Sequence, residues 1–358
     1  MDFIRITKRD DLSAKKEILI TIMAVLLSIV FAGVILLVFG LNPFHIFKEI
    51  ILGALGTELR IKQTIVKAVP LIITSLGIIV AFKMKFWNIG AEGQITMGAL
   101  GATWVALNLS DSTPQPVMLI LMMLGAAICG GIWAFIPAIF KAKLGTNETI
   151  FTLMMNYVAI KFVTYLQYGP WRDPSVNGYP RIERFSSNAE LPMLGGIHIG
   201  WIIALLAVIF VYFFMNHTKL GYEIAVVGES VETARYAGMN ISKVIVLSML
   251  ISGGLCGITG MIQVSAVEKT LVYGIANNYG FTAIIPAWLS KLNPIYALLV
   301  CLVFAMLIQG GEYIQIALGV PSAVSDVVQG LILFFILGSE FFMRYKVQIG
   351  RNKDKEAA

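Results

Sequence analysis

Two amides and a carboxylate fall within one short segment, Asn88-Ile-Gly-Ala-Glu92-Gly-Gln94, directly ahead of a long apolar run. The group offers donors, acceptors and an ionisable acid, and its small residues permit an irregular, closely packed backbone. Non-helical backbone at membrane depth survives only where it is buried in protein or lines a cavity, so one reading is a gate or pathway element. The other is a helix N-terminus capped by Asn88, with Glu92 near the positive end of the dipole. A phosphate-binding loop is excluded, because no G-x-x-x-x-G-K-[ST] occurs in the chain and Glu92 would repel phosphate.

A second cluster, Gly145-Thr-Asn147-Glu148, continues into Thr152, Asn156 and Tyr157. Glu148, Thr152 and Asn156 recur every fourth residue and share one helix face. A polar stripe on an apolar helix turns to the bundle interior, either along a solute path or as interhelical hydrogen-bond glue. Lys161 lies farther along and is expected to snorkel outward past Thr164 and Tyr165.

The third cluster is residues 219–243, containing Gly228-Glu229-Ser-Val-Glu232-Thr-Ala-Arg235-Tyr236-Ala237-Gly238. Glu229 or Ser230 can open a short helix, Glu232, Arg235 and Tyr236 fall three to four residues apart, and Gly238 can close it in a left-handed cap. Such a helix is either a docking element or an exposed connector.

These clusters need elements to hold them, and the composition says which kind. Of 358 residues, 58% are hydrophobic and 13% charged, against about 25% charged in a soluble domain. Apolar runs of about 20 residues are long enough to cross a bilayer. They predict an all-α integral membrane protein of about ten crossings: 18–41, 65–82, 89–109, 117–140, 149–168, 197–215, 244–264, 276–289, 295–311 and 324–342. Residues 1–342 form one transmembrane domain with a cytoplasmic loop at 219–243, and 343–358 form a cytoplasmic tail. The first run is too long for a signal-peptide core and no A-x-A site follows it, so it stays as a helix. Cys129, Cys256 and Cys301 all lie in apolar runs and read as small hydrophobes, with neither a disulfide framework nor a metal cluster.

Orientation follows from the lysines and arginines. With the N-terminus inside, Lys8, Arg9, Lys83, Lys85, Lys141, Lys143, Lys219, Arg235, Lys243, Lys291, Arg344, Lys346, Arg351 and Lys353 all fall in the cytoplasm, as does the C-terminus. The net charge of +6 is explained by this bias and forms no nucleic-acid patch. The outer loops include 111–116, without a basic residue, and 169–192, where Arg172, Arg181 and Arg184 run against the rule. Residues 42–63 form an interfacial amphipathic element or a solvated loop. Crossings 2–5 and 7–10 run in opposite senses and could form an inverted repeat. Small residues at four-residue spacing, Gly98, Ala102 and Ala106, Ala126, Gly130 and Ala134, and Gly253 and Gly257, predict close helix packing.

Together, Phe86-Trp-Asn-Ile-Gly-Ala-Glu-Gly-Gln94, Gly145-Thr-Asn-Glu-Thr-Ile-Phe-Thr-Leu-Met-Met-Asn-Tyr157 and Gly228-Glu-Ser-Val-Glu-Thr-Ala-Arg-Tyr-Ala-Gly238 resemble the permease subunits of bacterial ABC importers for simple sugars, branched-chain amino acids and nucleosides. The chain looks most like the longer permease of nucleoside-type systems. The resemblance implies a multi-pass protein of the bacterial cytoplasmic (inner) membrane, paired with a second permease subunit as a heterodimer or homodimer. It also implies a cytoplasmic ABC ATPase that binds ATP and Mg, and an extracytoplasmic substrate-binding protein. No cofactor, metal, nucleic acid or enzymatic activity is expected in this chain. The 228–238 segment would seat on the ATPase, and the 88–94 and 147–157 segments would border the pathway. The sequence departs from the family at Trp87, Pro286, Trp288 and Ser290. Solutes compatible with the pathway are nucleosides, simple sugars and riboflavin-like vitamins; a proton-coupled secondary transporter using Glu92, Glu148 or Lys161 is the competing reading.

Overall fold

The computed structural model describes residues 4–8, 14–109, 112–176, 178–319 and 323–349; Arg9, Asp111, Arg351 and Lys353 lie outside them. In chain order the elements are β1 (Ile4–Lys8), α1 (Ala14–Val38), α2 (Pro43–Leu55), α3 (Glu58–Lys83), α4 (Ala91–Asn108), α5 (Gln115–Leu144), α6 (Glu148–Tyr168), β2 (Met193–Leu194), β3 (Ile197–His198), α7 (Gly200–His217), α8 (Lys219–Glu229), α9 (Val231–Tyr236), α10 (Ile241–Ile262), α11 (Tyr279–Thr282), α12 (Ile284–Leu289), α13 (Pro294–Leu318), α14 (Ala323–Arg344) and β4 (Tyr345–Ile349). A π-helical turn, Gln263–Val267, extends α10. The described residues are all-α apart from two short strand pairs, an isolated bridge between Arg172 and Ile182 and a 3-10 turn at Ser187–Ala189.

Helix sequence and capping explain most boundaries. Asn147 caps α6, its Oδ1 accepting from Thr149 and Ile150 N–H at 3.1 and 3.2 Å, and Gly145 ends α5 in the left-handed region. Among the described residues six helices are long and apolar enough to cross a membrane: α3, α5, α6, α7, α10 with its π turn, and α13. Residues 22–38 of α1 pair with α2 across a 115° bend, giving a seventh if the two are one span. The 18-residue α4 falls short on apolarity because it carries Glu92, Gln94, Thr96, Thr103 and Asn108.

One compact unit comprises Ile61–Ala305. In it α4, α5 and α10 pack backbone to backbone. A Cβ at Gly98 would overlap Gly257 Cα, and one at Gly130 would overlap the Gly253 carbonyl. The small-residue stripes predicted from spacing are therefore contact surfaces, held by van der Waals packing that lipid itself cannot drive. α3 is the most enclosed span, with 83% of its apolar window buried, against 28% for α5, α6 and α7. The latter three each keep a broad face uncovered.

The other unit takes the described parts of Met1–Arg60 and Met306–Ala358. Here α2 buries Ile46 and Ile50 against Leu36 and Ile314. Arg60 donates to the Leu52 carbonyl at 3.0 Å and lies 4.0 Å from the Tyr313 ring centroid, a charge-assisted and cation–π pairing. β1 and β4 pair antiparallel, Ile4 opposite Ile349, so the two described chain ends meet.

Three expectations change. Residues 276–289 are not one continuous helix: Tyr279–Leu289 covers about 16 Å at 1.5 Å per residue and is divided into α11 and α12. Asn277 and Asn278 at φ 45° and 60°, with Pro286 between them and the next turn, break it. Residues 42–63 are not a loop, because α2 takes 43–55 and α3 begins at Glu58. Asn88 does not cap α4: the cap position is Gly90, and Asn88 Oδ1 accepts from its N–H at 3.0 Å.

Candidate functional site

Residues 84–90 join α3 to α4 outside regular helix; Met84, Lys85 and Phe86 N–H turn back to the Ala81 and Phe82 carbonyls, and the remaining polar groups need other partners. Asn88 and Gln94 form a reciprocal amide pair. Asn88 Nδ2 donates to Gln94 Oε1 at 3.2 Å, and Gln94 Nε2 donates back to Asn88 Oδ1 at 3.0 Å. Asn88 Nδ2 also donates to Ser252 Oγ at 3.2 Å. Ser252 lies eleven residues past the first residue of α10, about 16 Å along the axis. The irregular segment therefore reaches midway along its neighbour.

The polar stripe of α6 supplies the remaining partners. Gly93 N–H donates to Asn156 Oδ1 at 2.8 Å, and Asn156 Nδ2 donates to the Ile89 carbonyl at 2.9 Å. Ile89 N–H donates to Thr152 Oγ1 at 3.2 Å, while that hydroxyl donates to the Glu148 carbonyl at 2.7 Å. Two clusters about 60 residues apart in sequence are thus one network. Its members Asn88, Glu92, Gln94, Thr152 and Asn156 are each at most 4% exposed.

Glu92 ties in the broken segment. Its Oε1 accepts from Asn278 N–H at 2.9 Å and its Oε2 from Gly280 N–H at 2.8 Å. The left-handed backbone of Asn277 and Asn278 turns these amides toward α4, and a carboxylate accepting two of them is a charge-assisted arrangement. Beyond it, Ser75 Oγ of α3 donates to the Ala283 carbonyl at 2.9 Å and accepts from Cys301 Sγ of α13 at 3.4 Å. Phe82, Trp87 and Trp288 cluster at the far end, with centroids 5.1 to 6.2 Å apart. The unusual Trp288 packs there.

Other candidates fall outside the network. Asn147 serves as the α6 cap, and the Glu148 carboxylate pairs with Lys141 at 2.7 Å. Tyr157 is 58% exposed on the opposite face of α6. Sequence reasoning missed Ser252, Asn278, Gly280, Ser75 and Lys141; the left-handed Asn-Asn-x-Gly pattern before Gly280 was the only local signal.

The 219–243 region is two helices instead of one loop with a short helix. Thr218 caps α8, its Oγ1 accepting from Gly221 N–H at 3.1 Å. Gly228 lies against the Lys83–Met84 backbone. Ser230 caps α9 through Thr233 N–H at 3.2 Å. At the other end Gly238, at φ 74°, donates to the Arg235 carbonyl, and Met239 N–H donates to the Ala234 carbonyl, both at 3.0 Å. This is the double bond pattern of a glycine-terminated helix. Ala234 is buried and anchors α9, whereas Tyr236 is 94% exposed. Glu229, Arg235 and Ala237 are exposed too. Arg235 and Glu232 approach to 3.7 Å at an exposed site, a pairing of little stabilising value.

Comparison with known proteins bears on this arrangement. The family described as the branched-chain amino acid transport system / permease component matches residues 60–337. The glucose ABC transporter permease protein TsgB13 of Haloferax volcanii is 35% identical over 341 residues, 92% of this chain and 89% of the relative. The nucleoside ABC transporter permease protein NupB of Lactococcus lactis is 30% identical over 332 residues, covering 90% and 91%. The guanosine ABC transporter permease protein NupP of Bacillus subtilis is 30% identical over 352 residues, covering 95% and 98%. With a family match over most of its length and these relatives, the chain belongs to the branched-chain amino acid transport system / permease component family, as a multi-pass ABC importer permease subunit of the cytoplasmic membrane and not an enzyme.

Proposed function

We propose that this chain carries a small polar solute, nucleosides first, inward across the membrane, with a second permease subunit beside it, an ATPase below and a substrate-binding protein outside. ATP and Mg are held by the ATPase. In this reading the chain crosses ten times with both termini inside, the eighth crossing being the broken 276–289 segment. The pairing of β1 with β4 supports the shared side of the termini, and opposed crossings 2–5 and 7–10 would follow.

The observation that carries the reading is the seat of α8 on the α3–α4 junction. Gly228 touches the Lys83–Met84 backbone, and four residues after Met84 the chain enters the Asn88, Glu92 and Gln94 network. A push on α9, through Glu229, Glu232, Arg235, Tyr236 and Ala237 up to Gly238, therefore has a short covalent and packed route to a break in two helices. Discontinuous helices meeting inside a bundle are where transporters place their gates. Asn88, Glu92, Gln94, Asn147, Glu148, Thr152 and Asn156 then form the gate wall, with Tyr157 on the solute side.

A sugar is the second reading, favoured by the glucose permease among the relatives. The deciding experiment reconstitutes the complete complex and measures uptake of labelled guanosine and glucose. ATP-dependent guanosine uptake that resists a protonophore is expected. Uptake without ATP that collapses with the proton gradient would establish a secondary transporter instead, and glucose-only uptake the second reading.

A further inference from the structure

α6 has two faces of different character. Glu148, Thr152, Asn156, Ala159 and Val163 are buried. Half a revolution away stand Tyr157, Lys161, Tyr165 and Tyr168, all exposed, the tyrosines at 58%, 64% and 50%. Spacings of four, four and three residues keep them in one row. The row continues past the helix end. Tyr179 meets Tyr168 edge to face at 5.9 Å, and Tyr273 N–H donates to Gln167 Oε1 at 2.8 Å. Tyr179 and Tyr273 are exposed as well.

Hydrocarbon is a poor neighbour for such a row. Lys161 has no ion pair or hydrogen bond among the described residues, and ionisable groups within spans turn to a bundle interior or a water-filled cavity. Snorkelling accounts for Lys161, which is seven residues from the end of α6. It does not account for Tyr157, eleven residues from that end and about 16 Å deep.

We propose that this row is a stacking ladder along the outer half of the import path, built for a nucleobase-bearing solute; the proposal rests on the permease reading above. Tyr179 and Tyr273 stand at the mouth and Tyr157 at the bottom. Tyrosine rings stack on any base. Lys161, with donors only, matches the carbonyl and ring-nitrogen acceptors on a purine edge. The phenol oxygens can accept from sugar hydroxyls, but a simple sugar has no aromatic plane for these rings to stack on.

The test uses the complete complex in proteoliposomes with Cys129, Cys256 and Cys301, the free cysteines, replaced by alanine. Tyr157→Cys, Lys161→Cys and Tyr165→Cys are reacted with a charged, membrane-impermeant thiosulfonate, with Phe210→Cys on the apolar face of α7 as reference. Labelling at least tenfold faster than the reference is expected, slowed at least threefold by guanosine with the binding protein and not by glucose. Labelling no faster than the reference overturns the proposal. So does fast labelling that neither solute slows, or that glucose alone slows. Should the cysteine-free complex not assemble, Lys161→Met is read in the native background. At least tenfold slower guanosine uptake at unchanged complex yield is expected there, and unchanged uptake overturns the ladder. Loss of ATP dependence in the parent vesicles would sink the permease reading independently of any labelling result.

Discussion

Gly228 of α8 rests on Lys83, the last residue of α3. A Cβ at 228 would overlap the Lys83 carbonyl oxygen and stand 3.1 Å from its carbon and 3.2 Å from Met84 Cα. All three atoms are backbone, so none can swing aside. The α8–α9 helix pair and the irregular 84–90 segment are held in register by the absence of one methyl group.

Gly228→Ala is expected to force α8 off that seat, with an overpacking cost of about 1–3 kcal/mol. Solute-stimulated ATP hydrolysis in the reconstituted complex should fall at least fivefold while the ATPase retains its basal rate. Stimulation at the native level would show that the contact transmits nothing.

Tyr236→Ala and Arg235→Ala make the complementary case. Both residues are exposed, and their ion-pair and packing contributions are small, so the melting temperature of the isolated permease should shift by less than about 0.5 kcal/mol equivalent. Uptake by the complex should nevertheless drop severalfold. Full uptake would remove α9 from the ATPase interface.

Glu92→Ala leaves the Asn278 and Gly280 amides without acceptors, at about 1–3 kcal/mol each. Glu92→Gln keeps one acceptor and should lose less. Thermal unfolding of the two purified variants, ranked in that order, is the check; equal stability would mean that water or a neighbour replaces the carboxylate.

Asn156→Asp retains the acceptor for Gly93 N–H but turns the Ile89 carbonyl toward an anion. Destabilisation exceeding that of Asn156→Ala is expected, because a buried charge without its donor partner is costlier than a lost amide. Protease resistance of the 84–94 segment reports it.

His198 sits outside α7 in the β2–β3 hairpin, 2% exposed, with Nδ1 accepting from Gly200 N–H at 3.2 Å. Burial holds its pKa below the ordinary 6.5. A folded value below the unfolded one means that the stabilisation is complete above about pH 6.5 and is lost as pH falls through the depressed value. The protection factor of the Gly200 amide, taken against the intrinsic exchange rate at each pH, should fall on acidification, and His198→Gln should flatten that dependence.

What could be read in the sequence was local. The α6 stripe of Glu148, Thr152 and Asn156 follows from a period of 3.6, and the Ser230 and Gly238 caps follow from backbone chemistry within one turn. The glycine and alanine stripes of α4, α5 and α10 identified the contact faces correctly. The pairings Glu92 with Gly280, and Asn88 with Ser252, join positions more than 160 residues apart. No periodicity within a window encodes them. The 276–289 segment misled because its composition is that of a helix; two left-handed asparagines and a proline decide its path, and hydropathy averages over them. Tyr157 was grouped with Asn156 because they are adjacent in sequence, yet neighbours on a helix point about 100° apart.

Where α4, α5 and α10 touch through Gly98, Gly130, Gly253 and Gly257, no side-chain layer remains on which one backbone could glide past another. The trio must travel as a keel. Displacement is then left to the irregular stretches 85–89 on one side and 269–277 on the other, and Glu92 is the rivet that fastens those two joints together.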